Sequence, residues 1–182
     1  MSATRMMILG LVQMMQPVHG YDVRRMLLSW NADKWANVQP GSIYHGLRKM
    51  AEEELLHEVA TEQVGARPAR TRYEITTKGR HEFDSLLRNF WWTLSTPADP
   101  FMAAFSFLPS LSRDEAAAAL RSRASQLRSA VDYLNVATTA EWAKEKPAFV
   151  DWLWELGVVR SEAEIAWCER TAARIEAGES YE

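Results

Sequence analysis

Residues 6–15 (MMILGLVQMM) are apolar on nearly every side, the pattern of a short helix buried within a small domain. Pro17 and Gly20 then interrupt the chain. From Tyr21 the apolar residues fall at Val23, Met26, Leu27 and Trp30, an i, i+3, i+4, i+7 spacing that predicts a second helix with one buried face. Asn31 to Pro40 reads as a connection anchored by Trp35 and Val38. A third helix opens at Pro40-Gly41-Ser42, with Ile43, Leu47, Met50 and Ala51 as its inner stripe. Its opposite face carries Ser42, His45, Arg48, Lys49 and Glu52, with Tyr44 on the flank.

The period then shortens. His57 to Glu62 predicts a strand, with Val59 and Thr61 favouring it. Val64 to Pro68 reads as a turn and Thr71 to Thr76 as the returning strand. Thr76 and Thr77 are candidate caps for a fourth helix, striped by Phe83, Leu86, Leu87, Phe90 and Leu94. Its aromatic end, Asn89 to Leu94 (NFWWTL), is expected to bury against something beyond the small domain. Three helices, a hairpin and a fourth helix are the plan of a winged helix-turn-helix.

Pro97-Ala98-Asp99-Pro100 marks a boundary, dividing the chain into domains 1–96 and 97–182. After it, Phe101 to Leu108 is a short apolar segment ended by Pro109. Ser112 and Glu115 form a capping box before an alanine-rich helix whose seam is Leu120, Ala124, Leu127, Val131 and Leu134. A last helix follows Pro147, with Phe149, Trp152, Leu153 and Leu156 as its stripe. The seam admits two arrangements: the last helix folds back on it within one chain, or a second copy covers it. Two reading heads serve an isolated genomic site better than one, which favours the dimer. The expected fold class is mainly α, an α+β winged helix-turn-helix with an all-α C-terminal dimerisation arm.

Charge sharpens this picture. The net charge of −3 is unpromising for a nucleic-acid binder, but residues 1–94 hold 12 Lys/Arg against 10 Asp/Glu, and residues 95–182 hold 9 against 14. Residues 63–80 contain Arg67, Arg70, Arg72, Lys78 and Arg80 against Glu74 alone, a patch suited to phosphates. An α-helix fits the major groove, so Ser42, Tyr44, His45, Arg48 and Lys49 are candidate DNA contacts. Arg67, Arg70 and Arg72 near the hairpin tip are expected to meet the backbone or a minor groove.

Other classes lose ground. His19, His45, His57 and His81 lie on different elements, with no HExxH, phosphate loop or nucleophile triad, so no enzyme, metal site or cofactor is expected. Cys168 stands alone and cannot form an intramolecular disulfide. No run of about 18 apolar residues offers a membrane span. Residues 1–5 lack an export signal pattern, and the cytoplasm is the simplest compartment. A winged helix serving only protein contacts would show an apolar or acidic third-helix face, which this chain lacks.

The motifs also carry a family resemblance. His19-Gly20-Tyr21, Pro40-Gly41-Ser42-Ile43-Tyr44, Leu47-Arg48 and Tyr73-Glu74-Ile75-Thr76-Thr77-Lys78-Gly79 resemble, in order and spacing, the PadR family of bacterial regulators over roughly residues 6–94. Two positions depart from the family pattern. His45 stands where proline usually follows the tyrosine, and Ala66 is an extra residue in the Gly65–Pro68 wing tip. The resemblance implies a homodimer on a palindromic operator in double-stranded DNA. It adds Tyr21 to the DNA-facing set and implies repression released by a small aromatic or phenolic effector, with activation as the alternative. Trp91, Trp92, Phe101 and Phe105, flanking the boundary, are candidate effector contacts.

Overall fold

The computed structural model describes residues 2–36, 38–62, 70–94, 96, 98–139 and 147–181. The predicted turn at Val64 to Pro68, with Arg67, lies outside them. The chain divides into two compact units, Met1–Pro97 and Ala98–Glu182.

The first unit runs α1 (Ala3–Met15), β1 (Val18–His19), α2 (Gly20–Ser29), α3 (Ala32–Trp35), α4 (Pro40–Glu52), β2 (Leu56–Glu62), β3 (Arg70–Ile75) and α5 (Thr77–Trp92). β3 is central in an antiparallel sheet of order β1-β3-β2. β2 and β3 pair from Leu56↔Ile75 to Glu62↔Arg70, with an irregularity between Glu58 and Ala60. The core joins Ile8, Leu9, Leu11 and Val12 of α1 to Val23 and Leu27 of α2 and to Ile43, Leu47 and Met50 of α4. The sheet contributes Leu56, Tyr73 and Ile75, and α5 contributes Leu86.

Several details differ from the pattern reading. β1 is too short to announce itself, since two residues cannot show alternation. The connection holds the one-turn α3, after which Val38 is buried as expected. Trp35 is exposed instead, its Nε1 donating to the Trp30 carbonyl at 2.7 Å, so the ring lies along the surface as a local clasp. Leu94 lies past the end of α5 and is exposed, so it is no part of that helix's stripe.

α5 starts where expected. The Thr76 hydroxyl accepts from Gly79 N at 3.0 Å, and Leu55 O accepts from Thr76 N at 3.0 Å. This clamps the first turn of α5 onto the segment leaving α4. A Cβ on Gly79 would lie 2.1 Å from Leu55 O and 2.8 Å from Ile75 Cγ1, so only glycine fits there.

The second unit contains α6 (Pro100–Phe105), a 3-10 turn (Leu108–Ser110), α7 (Arg113–Thr139) and α8 (Phe149–Glu176). The capping box forms as the sequence predicts: Ser112 N donates to Glu115 Oε2 at 3.1 Å, and Glu115 N donates to Ser112 Oγ at 3.3 Å. α8 runs back antiparallel along α7, with ion pairs Arg121–Glu176 and Arg128–Glu169 at successive levels. Ala116, Ala117, Leu120 and Ala124 bury against Cys168, Ala172 and Ile175. The α7 seam therefore meets the chain's own last helix over this length, the internal one of the two arrangements. Phe149, Trp152, Leu153 and Leu156 are exposed in the single chain, so α7 does not cover this stripe. The buried partners of α7 come from the far end of α8, where small Ala172 and Cys168 allow close approach.

The Gly79 environment gives a direct test. Gly79→Ala should destabilise the first unit by about 3 kcal/mol, because a backbone carbonyl must move to admit the methyl. Gly41→Ala, with nothing within 4 Å of its would-be Cβ, should be close to neutral. Urea unfolding followed by circular dichroism compares the two; equal midpoints for both variants would contradict the steric argument.

Candidate nucleic-acid interface

α4 begins with Pro40 in its first turn, whose fixed φ suits a helix start. Burial of Ile43, Leu47 and Met50 on one side turns Ser42, Tyr44, His45, Arg48 and Lys49 to the other, where all five are exposed. Ser42 Oγ donates to the Gln39 carbonyl at 2.7 Å, which uses its proton within the helix start and leaves its lone pairs as acceptors. Among the described residues, neither Arg48 nor Lys49 is held in an ion pair. Their cationic groups are available to an anionic partner.

Tyr44 and Tyr21 flank this face. A Cβ on Gly20 would meet Leu47 Cδ1 at 2.9 Å and Tyr44 Cε1 at 3.2 Å, so the glycine lets α2 start directly against α4. One edge of the Tyr44 ring rests on that start while the residue stays 42% exposed. Tyr21 is 57% exposed, with the Arg25 guanidinium 5.7 Å from its ring centroid.

The hairpin contributes from the adjacent edge. Arg72 is half-buried, and its Nε donates to His19 Nε2 at 3.2 Å. Of Arg70 only the backbone is described, and Arg67 lies outside the described residues. Tyr73, on the inner side of β3, is buried. Burial pushes its phenol up, the Glu58 charge and a hydrogen bond to that carboxylate act the same way, and Arg48 opposes them. Sequence reasoning missed both His19 and Glu58 as neighbours of the candidate contacts. Their contacts follow from strand register, His19 opposite Arg72 and Glu58 opposite Tyr73, which needs the sheet order to be read.

The four candidate effector residues divide between the units. Trp91 and Trp92 end α5, 81% and 87% exposed within the chain. Phe101 and Phe105 belong to the second unit and pack edge-on against Trp167, at 6.1 and 5.3 Å between centroids. The Arg123 guanidinium lies 3.8 Å from the Phe101 ring centroid and pairs with Glu164 at 2.6 Å. The first unit has a cleft of about 500 Å³ lined by Arg5, Glu53, Leu55, Lys78, His81 and Glu82. Arg5 bonds both Glu53 and Glu82 there, so much of that charge is internally compensated. The second has a groove of about 290 Å³ between α7 and α8, including Arg128, Val131 and Ile165. None of the four candidates lines either cleft. Among the described residues no cluster suited to a metal ion occurs, and no helix is long and apolar enough to cross a membrane.

The Tyr73 environment predicts an alkaline effect. A phenol whose folded value is raised contributes stability that is present below its unfolded value, near 10, and lost as pH rises through the folded one. Tyr73→Phe loses the hydrogen bond to Glu58 and should melt below the wild type near neutral pH, and the difference should shrink as pH rises past about 10. Thermal scans at several pH values check this; a gap that stays constant to the alkaline end would contradict it.

Comparison with known proteins places this geometry. Residues 8–85 match the model of the transcriptional regulator PadR-like family. No curated protein matches the chain. Among solved structures, Bacillus subtilis PadR in complex with operator DNA is similar at TM-score 0.74 and 23% identity, covering 94% of this chain and 98% of that one. The same regulator with p-coumaric acid gives 0.71 and 20%, over 94% and 98%. The Vibrio cholerae virulence activator AphA gives 0.70 and 19%, over 96% and 99%. At these identities the structural likeness establishes the fold alone. The match to the transcriptional regulator PadR-like family covers residues 8–85 of the chain.

Proposed function

We propose that this chain is a sequence-specific, DNA-binding transcriptional regulator that acts as a homodimer, represses, and is released by a small aromatic effector. The observation that carries the reading is the outer face of α4: five exposed polar or cationic side chains on a helix that buries Ile43, Leu47 and Met50 on its other side. In this reading residues 1–96 are the DNA-binding domain and 97–182 the dimerisation and effector domain. It acts in the cytoplasm, on double-stranded DNA.

Arg48 and Lys49 supply charge to the major groove, with Ser42, Tyr44 and His45 beside them and Tyr21 at the flank. Arg67, Arg70 and Arg72 supply the wing's contacts to the backbone. A protein-docking role would call for an apolar or acidic α4 face, and this one is polar and basic. The exposed stripe Phe149, Trp152, Leu153, Leu156 and Val159 on α8 is what a second copy would cover. Trp91, Trp92, Phe101 and Phe105 are the proposed effector contacts. The resemblance to a regulator solved with p-coumaric acid favours a phenolic ligand. The likeness to a virulence activator supports activation as the second reading.

The deciding experiment is selection of genomic fragments by the purified protein, followed by sequencing. Enrichment of a palindromic site supports the reading, and recovery of fragments without a shared site would overturn it. On the recovered duplex, Arg48→Ala and Lys49→Ala should flatten the dependence of log K on log salt by roughly 0.9 for each phosphate that either head no longer neutralises. An unchanged slope in both variants would remove these residues from the interface. Trp152→Glu should shift the protein toward monomer in sedimentation velocity runs and weaken operator binding with it; an intact dimer would place the subunit interface elsewhere.

A further inference from the structure

His19 has no part in the DNA-facing set above, yet three constraints meet at its ring. It is the last residue of β1 and lies opposite Arg72 in the sheet register. It is also the residue before α2, with extended backbone, and its side chain makes no cap bond to that helix. The ring turns to the sheet instead. Nδ1 lies 3.2 Å from the Thr71 carbonyl oxygen, and Nε2 lies 3.2 Å from Arg72 Nε.

These two partners fix the proton. A carbonyl oxygen only accepts, so Nδ1 must carry the hydrogen; a guanidinium only donates, so Nε2 must be bare. One species meets both demands, the neutral imidazole protonated at Nδ1. Arginine enters a complex with much rotamer freedom to lose, and its planar fork recognises phosphate through paired N–H groups. An acceptor held at Nε fixes the fork's plane while leaving the terminal nitrogens their own directions. Arg72 has other interactions besides, so the imidazole is one anchor among several.

We propose that His19 is a positioning residue for DNA binding: tied to the Thr71 carbonyl, its ring holds the Arg72 guanidinium at the root of the wing in the orientation that meets the duplex. This rests on the reading of Arg72 as a DNA-binding residue. It also accounts for why a histidine opens α2 without capping it. The ring serves the hairpin, two strands away in sequence, and not the helix that follows it.

The test measures affinity for the genomic duplex that the wild-type protein selects, with a mixed-sequence duplex at low salt as a second probe. Arg72→Ala should weaken binding on the order of tenfold, the scale of one charge-assisted hydrogen bond. His19→Phe keeps a flat ring but neither nitrogen, and should weaken binding to a similar degree. The double variant should be no weaker than Arg72→Ala alone. His19→Gln offers an acceptor that reaches Arg72 and should restore most of the affinity. His19→Asn, which reaches only Thr71, should not. Circular dichroism and melting curves identify any variant that misfolds; if His19→Phe does, the Gln and Asn pair carries the comparison. Additive losses in the double variant, or equal affinity of the Gln and Asn proteins, would overturn the positioning role. Normal binding by His19→Phe beside weakened Arg72→Ala would overturn it and leave the role of Arg72 standing. Normal binding by Arg72→Ala would remove that role and the proposal together.

Discussion

Ile43, Leu47 and Met50 hold α4 to the rest of the first unit from behind, and the outward face of the helix follows from that attachment. A helix is rigid over 13 residues, so seating one stripe sets the azimuth of every other side chain. Truncating any of the three would cost about 2–5 kcal/mol, and the outward face would lose its orientation along with the stability. Gly20 belongs to the same constraint. Its missing side chain lets α2 begin directly against Leu47 and Tyr44 of α4.

The sheet works as a second frame bolted to the first. β3 is central, so one strand carries Tyr73 and Ile75 into the core and Arg72 outward. Gln16 Oε1 accepts from Ile75 N at 2.9 Å, tying the end of α1 to the same strand. The C-terminal face of α4 is joined to α1 and α5 by Arg5, which bonds Glu53 and Glu82 and holds the Glu53 carboxyl below the usual carboxylate range. Such partly exposed pairs add little stability singly. Their contribution here is orientation, since α1, α5 and the end of α4 share one guanidinium.

The second unit follows a different logic. α7 and α8 form a hairpin closed by small residues at one end, where Ala116, Ala117, Ala124, Cys168 and Ala172 allow close approach. Toward the other end the apolar side chains grow larger and face outward. Two helices enclose too little volume to bury Phe149, Trp152 and Leu156 as well. Burial therefore pushes the Cys168 thiol up at the tight end, a structural thiol in apolar surroundings, while the aromatic end keeps its surface.

Strong periodicity made the long elements legible from the amino acids alone. The α4 stripe, the Thr76 cap, the Ser112–Glu115 box and the exposed basic face all follow from local spacing, because helical phase needs no partner to be read. Short or partner-dependent features were not legible. β1 is two residues long and exists only because β3 lies beside it. Trp35 looks like a core residue by type, yet a hydrogen bond to Trp30 O keeps it on the surface. The α8 stripe has the right spacing for burial, but spacing states that a face is apolar and not what covers it. Likewise His19 and Arg72 stand 53 positions apart, and only antiparallel register brings an imidazole acceptor to a guanidinium. Periodicity along one chain determined which faces are apolar; the pairing of distant segments, set by the competition for a limited core, decided which of them are buried.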